Sequence, residues 1–235
     1  MVDKVEPIGP KVDWKPAKAP ERVVHRGRYA HLEPVDPARH AEDLHALSKD
    51  ADRLWTYLGY GPFADLAEFR LWLADCARQT DPLFFAVIDD ATGRAAGMVS
   101  YLRITPSQGV IEIGHIWFAP VLQRSRQATE AIYLMCRQVF EDWGYRRLEW
   151  KCNALNAPSR RAADRFGFAY EGIFLQHLIV KGRNRDTAWY AMLDGEWPAI
   201  RAGFERWLEP ANFDGSGRQR RSLRDCGVPA AKPRA

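Results

Sequence analysis

Apolar and polar positions along this chain follow two alternating periods. Steps of three and four predict a helix over residues 37–48 behind Asp36 as N-cap. A second follows Asp65, with Leu66, Phe69 and Leu73 as its buried stripe and Thr80-Asp81-Pro82 as its end. A longer helix carries Ala128, Ile132, Met135, Val139 and Trp143 on one face and closes at Gly144. Two more are expected over 156–166 and 197–208, the latter with Pro198 in its first turn. Between them, short runs rich in β-branched and aromatic residues predict strands at 23–32, with a bulge or turn at Gly27-Arg28, and at 84–88, 95–102, 110–118, 148–152, 168–180 and 187–193. Polar turns at 89–93, 105–109 and 181–184 join consecutive strands. This order predicts a mixed α/β (α+β) domain, a largely antiparallel sheet flanked by helices.

The flanks lack either period. Residues 1–20 hold Pro7, Pro10, Pro16 and Pro20 and are expected to form an extended arm with Trp14 as its pin. Residues 21–210 form the domain, and 211–235 a basic, flexible tail. Within the domain, the aromatic segment 54–63 carries two glycines and a proline, which exclude a long helix.

Composition narrows the function classes. At 235 residues the chain is long enough for one domain with a substantial core. It has no apolar run of about 18 residues, so no membrane span is expected, and its first residues do not resemble a signal peptide. Cys76, Cys136, Cys152 and Cys226 are widely spaced, which argues for reduced thiols, a cytoplasmic protein and no metal site. Tail residues Arg218, Arg220, Arg221, Arg224, Lys232 and Arg234, set against Asp214 and Asp225, account for the whole net charge of +4. A charge confined to a solvated tail does not favour nucleic acid as a partner.

The strand at 110–118 feeds the long helix through the polar turn Gln123-Arg124-Ser125-Arg126-Gln127-Ala128-Thr129. Unpaired N–H groups at a helix start, with the positive end of its dipole, make a phosphate site. The spacing Gln123-x-x-Arg126-x-Ala128 resembles the acetyl-CoA pyrophosphate loop of the GNAT superfamily of N-acetyltransferases, usually Gln/Arg-x-x-Gly-x-Gly/Ala. Downstream, Asn156-Ala157-Pro158-Ser159 and Arg165-Phe166-Gly167-Phe168, with Gly172 just beyond, are similar to the ribosomal-protein N-acetyltransferase branch. Together the matches cover residues 23–207. One departure is Arg126 at the first loop glycine, where the side chain either turns outward or adds a phosphate contact.

The resemblance implies a GNAT fold, acetyl-CoA as co-substrate, and transfer to a primary amine of a small molecule or peptide N-terminus. A homodimer stays open, as does a non-catalytic acyl-CoA-binding sensor or scaffold. It assigns the cofactor phosphates to the backbone of Gln123, Arg124, Ser125, Arg126, Gln127, Ala128 and Thr129, and the thioester carbonyl to the backbone of Ile116, Trp117 and Phe118. Asn156 is assigned to the pantetheine arm. The amine must lose a proton, and Glu112, His115 and His177 lie on strands near the expected site. Alternation prevents Glu112 and His115 from facing one pocket unless a bulge intervenes. The branch glutamate six residues after Gly172 is Leu178 here, so its neighbour His177 stands beside Glu112 as a candidate base. The common acid tyrosine is Ala163, which leaves Ser159, also fitted to cap a helix. Trp55, Tyr57, Phe63, His115 and Arg183 are the candidate acceptor contacts, with Arg185 an alternative anion binder.

Overall fold

A computed structural model describes residues 8–230. The expectation for residues 1–7 and for the tail beyond 230 lies outside them. The strands are β1 (His25–Arg26), β2 (Ala30–Pro34), β3 (Leu83–Asp89), β4 (Arg94–Thr105), β5 (Val110–Phe118), β6 (Arg147–Asn153), β7 (Ala169–Val180) and β8 (Arg183–Leu193). The helices are α1 (Pro37–Ser48), α2 (Leu66–Arg78), α3 (Arg126–Arg137), α4 (Ala157–Arg165) and α5 (Trp197–Leu208). The strands form one sheet in the order β1-β2-β3-β4-β5-β6-β8-β7, antiparallel except between β5 and β6.

Both predicted N-caps are made: Asp36 accepts from the Ala38 N–H and Asp65 from the Glu68 N–H, each at 2.9 Å. Leu44, Phe69 and Leu73 of α1 and α2 bury themselves on one face of the sheet against Phe84, Ala86 and Met98. On the other face, the stripe of α3 (Ala128, Ile132, Met135) joins Ile111, Ile113, Leu148, Trp150 and Tyr190, with α5 closing over it. Helix α3 runs on through a π turn, Gln138–Asp142, before Gly144 at φ +73° ends it.

The expected first strand is broken in two, and Glu130 of α3 is the cause. Its buried carboxylate accepts the N–H groups of Arg28 (2.9 Å), Tyr29 (2.6 Å) and Ala30 (2.9 Å), folding the chain around it. A Cβ on Gly27 would lie 2.5 Å from the Glu130 carboxyl carbon, so glycine is needed there.

The terminal segments also depend on distant contacts. In the arm, the Trp14 indole donates to Ser107 O (2.9 Å) and the Ala17 N–H to Pro106 O (3.0 Å). The tail is corrected outright: residues 211–230 are packed rather than flexible. Phe213, Leu223, Cys226 and Val228 are buried, and Arg206 Nε of α5 donates to Cys226 O at 2.8 Å. Those apolar residues are scattered among arginines without period, so no pattern announced them.

Candidate functional site

The site begins where the sheet parts. Parallel pairing between β5 and β6 runs from Val110/Arg147 to Ile113/Trp150 and stops. Beyond that point β5 continues to Phe118 and β6 to Asn153 without facing each other, so the backbone of residues 116–118 lies along an open edge. On its far edge β5 is held by β4, with Trp117 opposite Met98 and Phe118 opposite Gly97. The side chains of Ile116 and Phe118 pack against the α3 core while Trp117 is buried on the α1/α2 side. Any role of these residues toward a ligand therefore falls to their backbone.

The turn into α3 starts at the foot of this opening. Several of its N–H groups are used internally: Gln123 donates to Ala119 O (3.2 Å), Ser125 to Leu122 O (3.3 Å) and Thr129 to Ser125 O (3.3 Å). Ser125 is the N-cap, its hydroxyl accepting the Ala128 N–H at 3.0 Å. The N–H groups of Arg124, Arg126 and Gln127 have no such partner among the described residues, and Arg124 sits at φ +61°. These amides and the dipole of α3 fit a pyrophosphate. The Arg126 guanidinium lies 4.3 Å from the Tyr29 ring centroid and 5.4 Å from that of Phe213. Gln123 Nε2 ties the turn to the strand through Phe118 O (2.9 Å), and Gln127 Nε2 reaches Asp89 Oδ1 (3.0 Å).

Across the opening, Asn156 caps α4, its Oδ1 accepting the Ser159 N–H at 3.1 Å. Ser159 Oγ accepts the Trp150 indole N–H at 3.0 Å, beside the Cys152 thiol. Burial raises the pKa of that thiol, with Ser159 and the charges of Arg160 and Arg185 opposing the rise.

The opposite face of β5, β6 and β8, beyond the cover of α1 and α2, carries charge. Glu112 and Glu149 are direct cross-strand neighbours, an arrangement that repels unless a cation intervenes. Lys151 Nζ intervenes, 2.9 Å from Glu112 and 2.6 Å from Glu149, and lies 3.9 Å from the Trp189 ring centroid. Arg103 completes the pairing of Glu112, and Arg147 bridges Glu149 (2.7 Å) to Glu171. The result is an ordered row of alternating charges. The Glu112 carboxylate is held by two cations, and only 4% of its side chain is exposed. Proton acceptance there would have to break an ion pair.

A bulge brings His115 to this same face. Trp117 pairs with Met98 but Gly114 with Ser100, so β5 holds one extra residue there, and His115 takes φ +50°. Its ring stacks on Tyr60 (15°, centroids 5.6 Å apart), with Nδ1 3.3 Å from the Tyr60 hydroxyl. Burial, then Arg103 and Arg185, lower its pKa to about 4, so it is neutral at pH 7. A second bulge serves His177: β7 carries extra residues between Phe174 and Leu178, and Gln176 takes φ +50°. His177 Nδ1 lies 3.0 Å from the hydroxyl of Thr187, which is fully buried. When Nδ1 donates to Thr187, the lone pair sits on Nε2, which has no hydrogen-bond partner among the described residues. Burial first, then Arg103, Arg185 and Lys151, lower the His177 pKa, with Glu112 opposing.

The aromatic wall is mainly a packed unit. Trp55 is buried against Phe63, Trp72 and Trp117, and Phe63 also packs on Phe69. Tyr57 is half-buried and donates to Leu155 O (3.1 Å), bridging the wall to the loop before α4. Arg183 is exposed at the hairpin tip. Sequence reasoning missed Lys181, whose Nζ donates to the carbonyls of Trp55 (2.9 Å), Tyr60 (3.1 Å) and Gly61 (2.6 Å), latching the β7–β8 hairpin to the wall. It also missed Lys151, whose hidden position inside a strand gives no local signal. The described residues hold no cluster of three or more metal-ligating groups and no helix long and apolar enough to cross a membrane.

The sheet thus parts beside its one parallel pair, with unpaired amides of a helix start at its foot. Residues 30–169 match the acetyltransferase (GNAT) domain, and the chain belongs to that family of acyltransferases. It is 50% identical to a GCN5-related N-acetyltransferase from Brucella melitensis, over 91% of this chain and 98% of that one, with a TM-score of 0.89. A probable acetyltransferase of the GNAT family from Chromobacterium violaceum is 41% identical over 83% of this chain and all of the other (100%), with a TM-score of 0.76. No curated protein matches the chain.

Proposed function

We propose that this acyltransferase uses acetyl-CoA to acetylate a primary amine of a small molecule or peptide N-terminus. The observation that carries the reading is the parting of β5 from β6 directly above the unpaired amides of Arg124, Arg126 and Gln127. Those amides would hold the pyrophosphate, Asn156 would border the pantetheine arm, and the open backbone edge of residues 116–118 would polarise the thioester carbonyl. When bound, the cofactor supplies the activated acetyl group.

The acceptor amine enters from the charged face, between the Tyr57–Tyr60 wall and the β7–β8 hairpin. His177 Nε2 takes the proton that the amine loses as its nitrogen bonds to the carbonyl carbon. A lowered pKa suits it, because the imidazole is already neutral at pH 7. Glu112 acts through charge, fixing Arg103 and Lys151 beside the imidazole. Ser159, steadied by Trp150, is placed to return a proton to the departing sulfur. Four free, buried cysteines accord with a cytoplasmic setting.

Thiol release from acetyl-CoA across an amine library tests the reading. His177→Ala should lower kcat by roughly 10²- to 10⁴-fold and remove the acidic limb of the pH–rate profile, with acetyl-CoA affinity unchanged. Saturable binding of CoA with no turnover on any amine would instead identify a sensor.

A further inference from the structure

We propose that the acceptor amine carries a carboxylate, and that Arg185 receives it. The inference rests on the acetyl-transfer reading and names the substrate class for the same groove.

The charged face is balanced except at one position. Arg147, Lys151 and Arg103 interleave with Glu171, Glu149 and Glu112, so each cation of that row faces a carboxylate. Arg185 stands outside the row. It forms no ion pair among the described residues, and its Nε is buried without a hydrogen-bond partner. The Nε of this half-buried guanidinium has lost water without gaining an acceptor, an arrangement that a ligand would complete.

Its placement fits the groove. Arg185, Thr187 and Trp189 alternate along β8 onto one face, and Trp189 carries Lys151 while Thr187 holds His177. Leu178 is the cross-strand neighbour of Arg185, so the bulge bearing His177 lies immediately beside it. An anion on Arg185 is therefore carried by the same molecule whose amine meets His177. The charge count selects the anion. Arg103 and Lys151 are already committed to Glu112, and Arg183 is out in solvent, which leaves one uncompensated charge in the groove. A planar monoanion matches one guanidinium, whereas a phosphate dianion would need a second free cation.

The test compares amino acids running from glycine to 6-aminohexanoate with their amides and with the matching aminoalkylphosphonates, in wild type and Arg185→Gln. Turnover gives one arm; calorimetric binding of the N-acetylated acids and amides in the presence of CoA gives the other. Wild type should prefer acid over amide by about 10- to 100-fold, through KM, the range expected for charge-assisted hydrogen bonds. In Arg185→Gln that ratio should collapse toward one, with Tm unchanged or raised because an unpaired charge is removed. Equal treatment of acids and amides in both arms, or a preference that survives in Arg185→Gln, overturns the inference. Preference for phosphonate over carboxylate overturns the choice of anion. Acetylation of neutral amines without discrimination sinks this inference alone. Selective binding of the acids without turnover supports it while sinking the acetylation reading.

Discussion

Lys181 joins the aromatic wall to the β7–β8 hairpin, and its removal has a calculable cost. Lys181→Met breaks three hydrogen bonds from one ammonium to the carbonyls of Trp55, Tyr60 and Gly61. A bond to a charged group contributes about 1.5–3 kcal/mol. The three do not add, because the bonds to Tyr60 and Gly61 are exposed and water replaces the lost donor there. The Trp55 carbonyl is part-buried, but it keeps the Leu58 N–H at 3.2 Å when the ammonium is lost. The net loss is therefore that of a single charged hydrogen bond at the low end of its range, about 1.5–2 kcal/mol, or roughly 10- to 30-fold in the equilibrium holding the wall to the hairpin. The Trp55 side chain stays in its cluster with Phe63, Trp72 and Trp117, so the wall loosens rather than unfolds. His177 is held from the other side by Thr187, and chemistry should suffer less than binding. The acceptor KM should thus rise, by up to that factor, with kcat little changed, and amide exchange across residues 56–61 should accelerate. An unchanged KM with unchanged exchange would refute the latch.

Glu112→Gln should destabilise the fold by about 3 kcal/mol or more, read by denaturant unfolding, because Lys151 is left buried with half its pairing. A large loss of kcat at full stability would restore Glu112 as the base. In the turn before α3, Gln127→Pro removes an unpaired N–H at a position where a helix tolerates proline and should weaken CoA about tenfold by calorimetry. Arg124→Gly keeps its N–H and relieves φ +61°, so affinity should stay within a few-fold; equal effects from both would remove the backbone assignment. Acid should also destabilise the protein. His25 and His115 have pKa values of about 4 when folded against 6.5, so their contribution is complete above pH 6.5 and lost as pH falls toward 4. Each accounts for about 3 kcal/mol across that window. His25→Phe should flatten the decline measured by denaturant unfolding, and an unaltered slope would show His25 titrating normally.

What the sequence determined by itself was whatever depends on neighbours in the chain. The period of Ala128, Ile132, Met135 and Val139 sets the buried face of α3, and Asp36 and Asp65 start their helices through bonds two and three residues away. The turn at 123–129 was legible for the same reason, since a helix start is built from consecutive amides. Tertiary structure alone decided which residues of the site act together. Strand alternation would have sent His115 away from Glu112, and a one-residue bulge against β4 reverses it. The ion pairs of Glu112 with Lys151 from β6 and Arg103 from β4 have no local signal either. Lys181 and Trp55 are separated by 126 positions, and Phe213 reaches Arg126 from a segment without hydrophobic period. Such pairings depend on sheet register and on where bulges shift it. Both are set when distant strands dock, and no local run of residues encodes them.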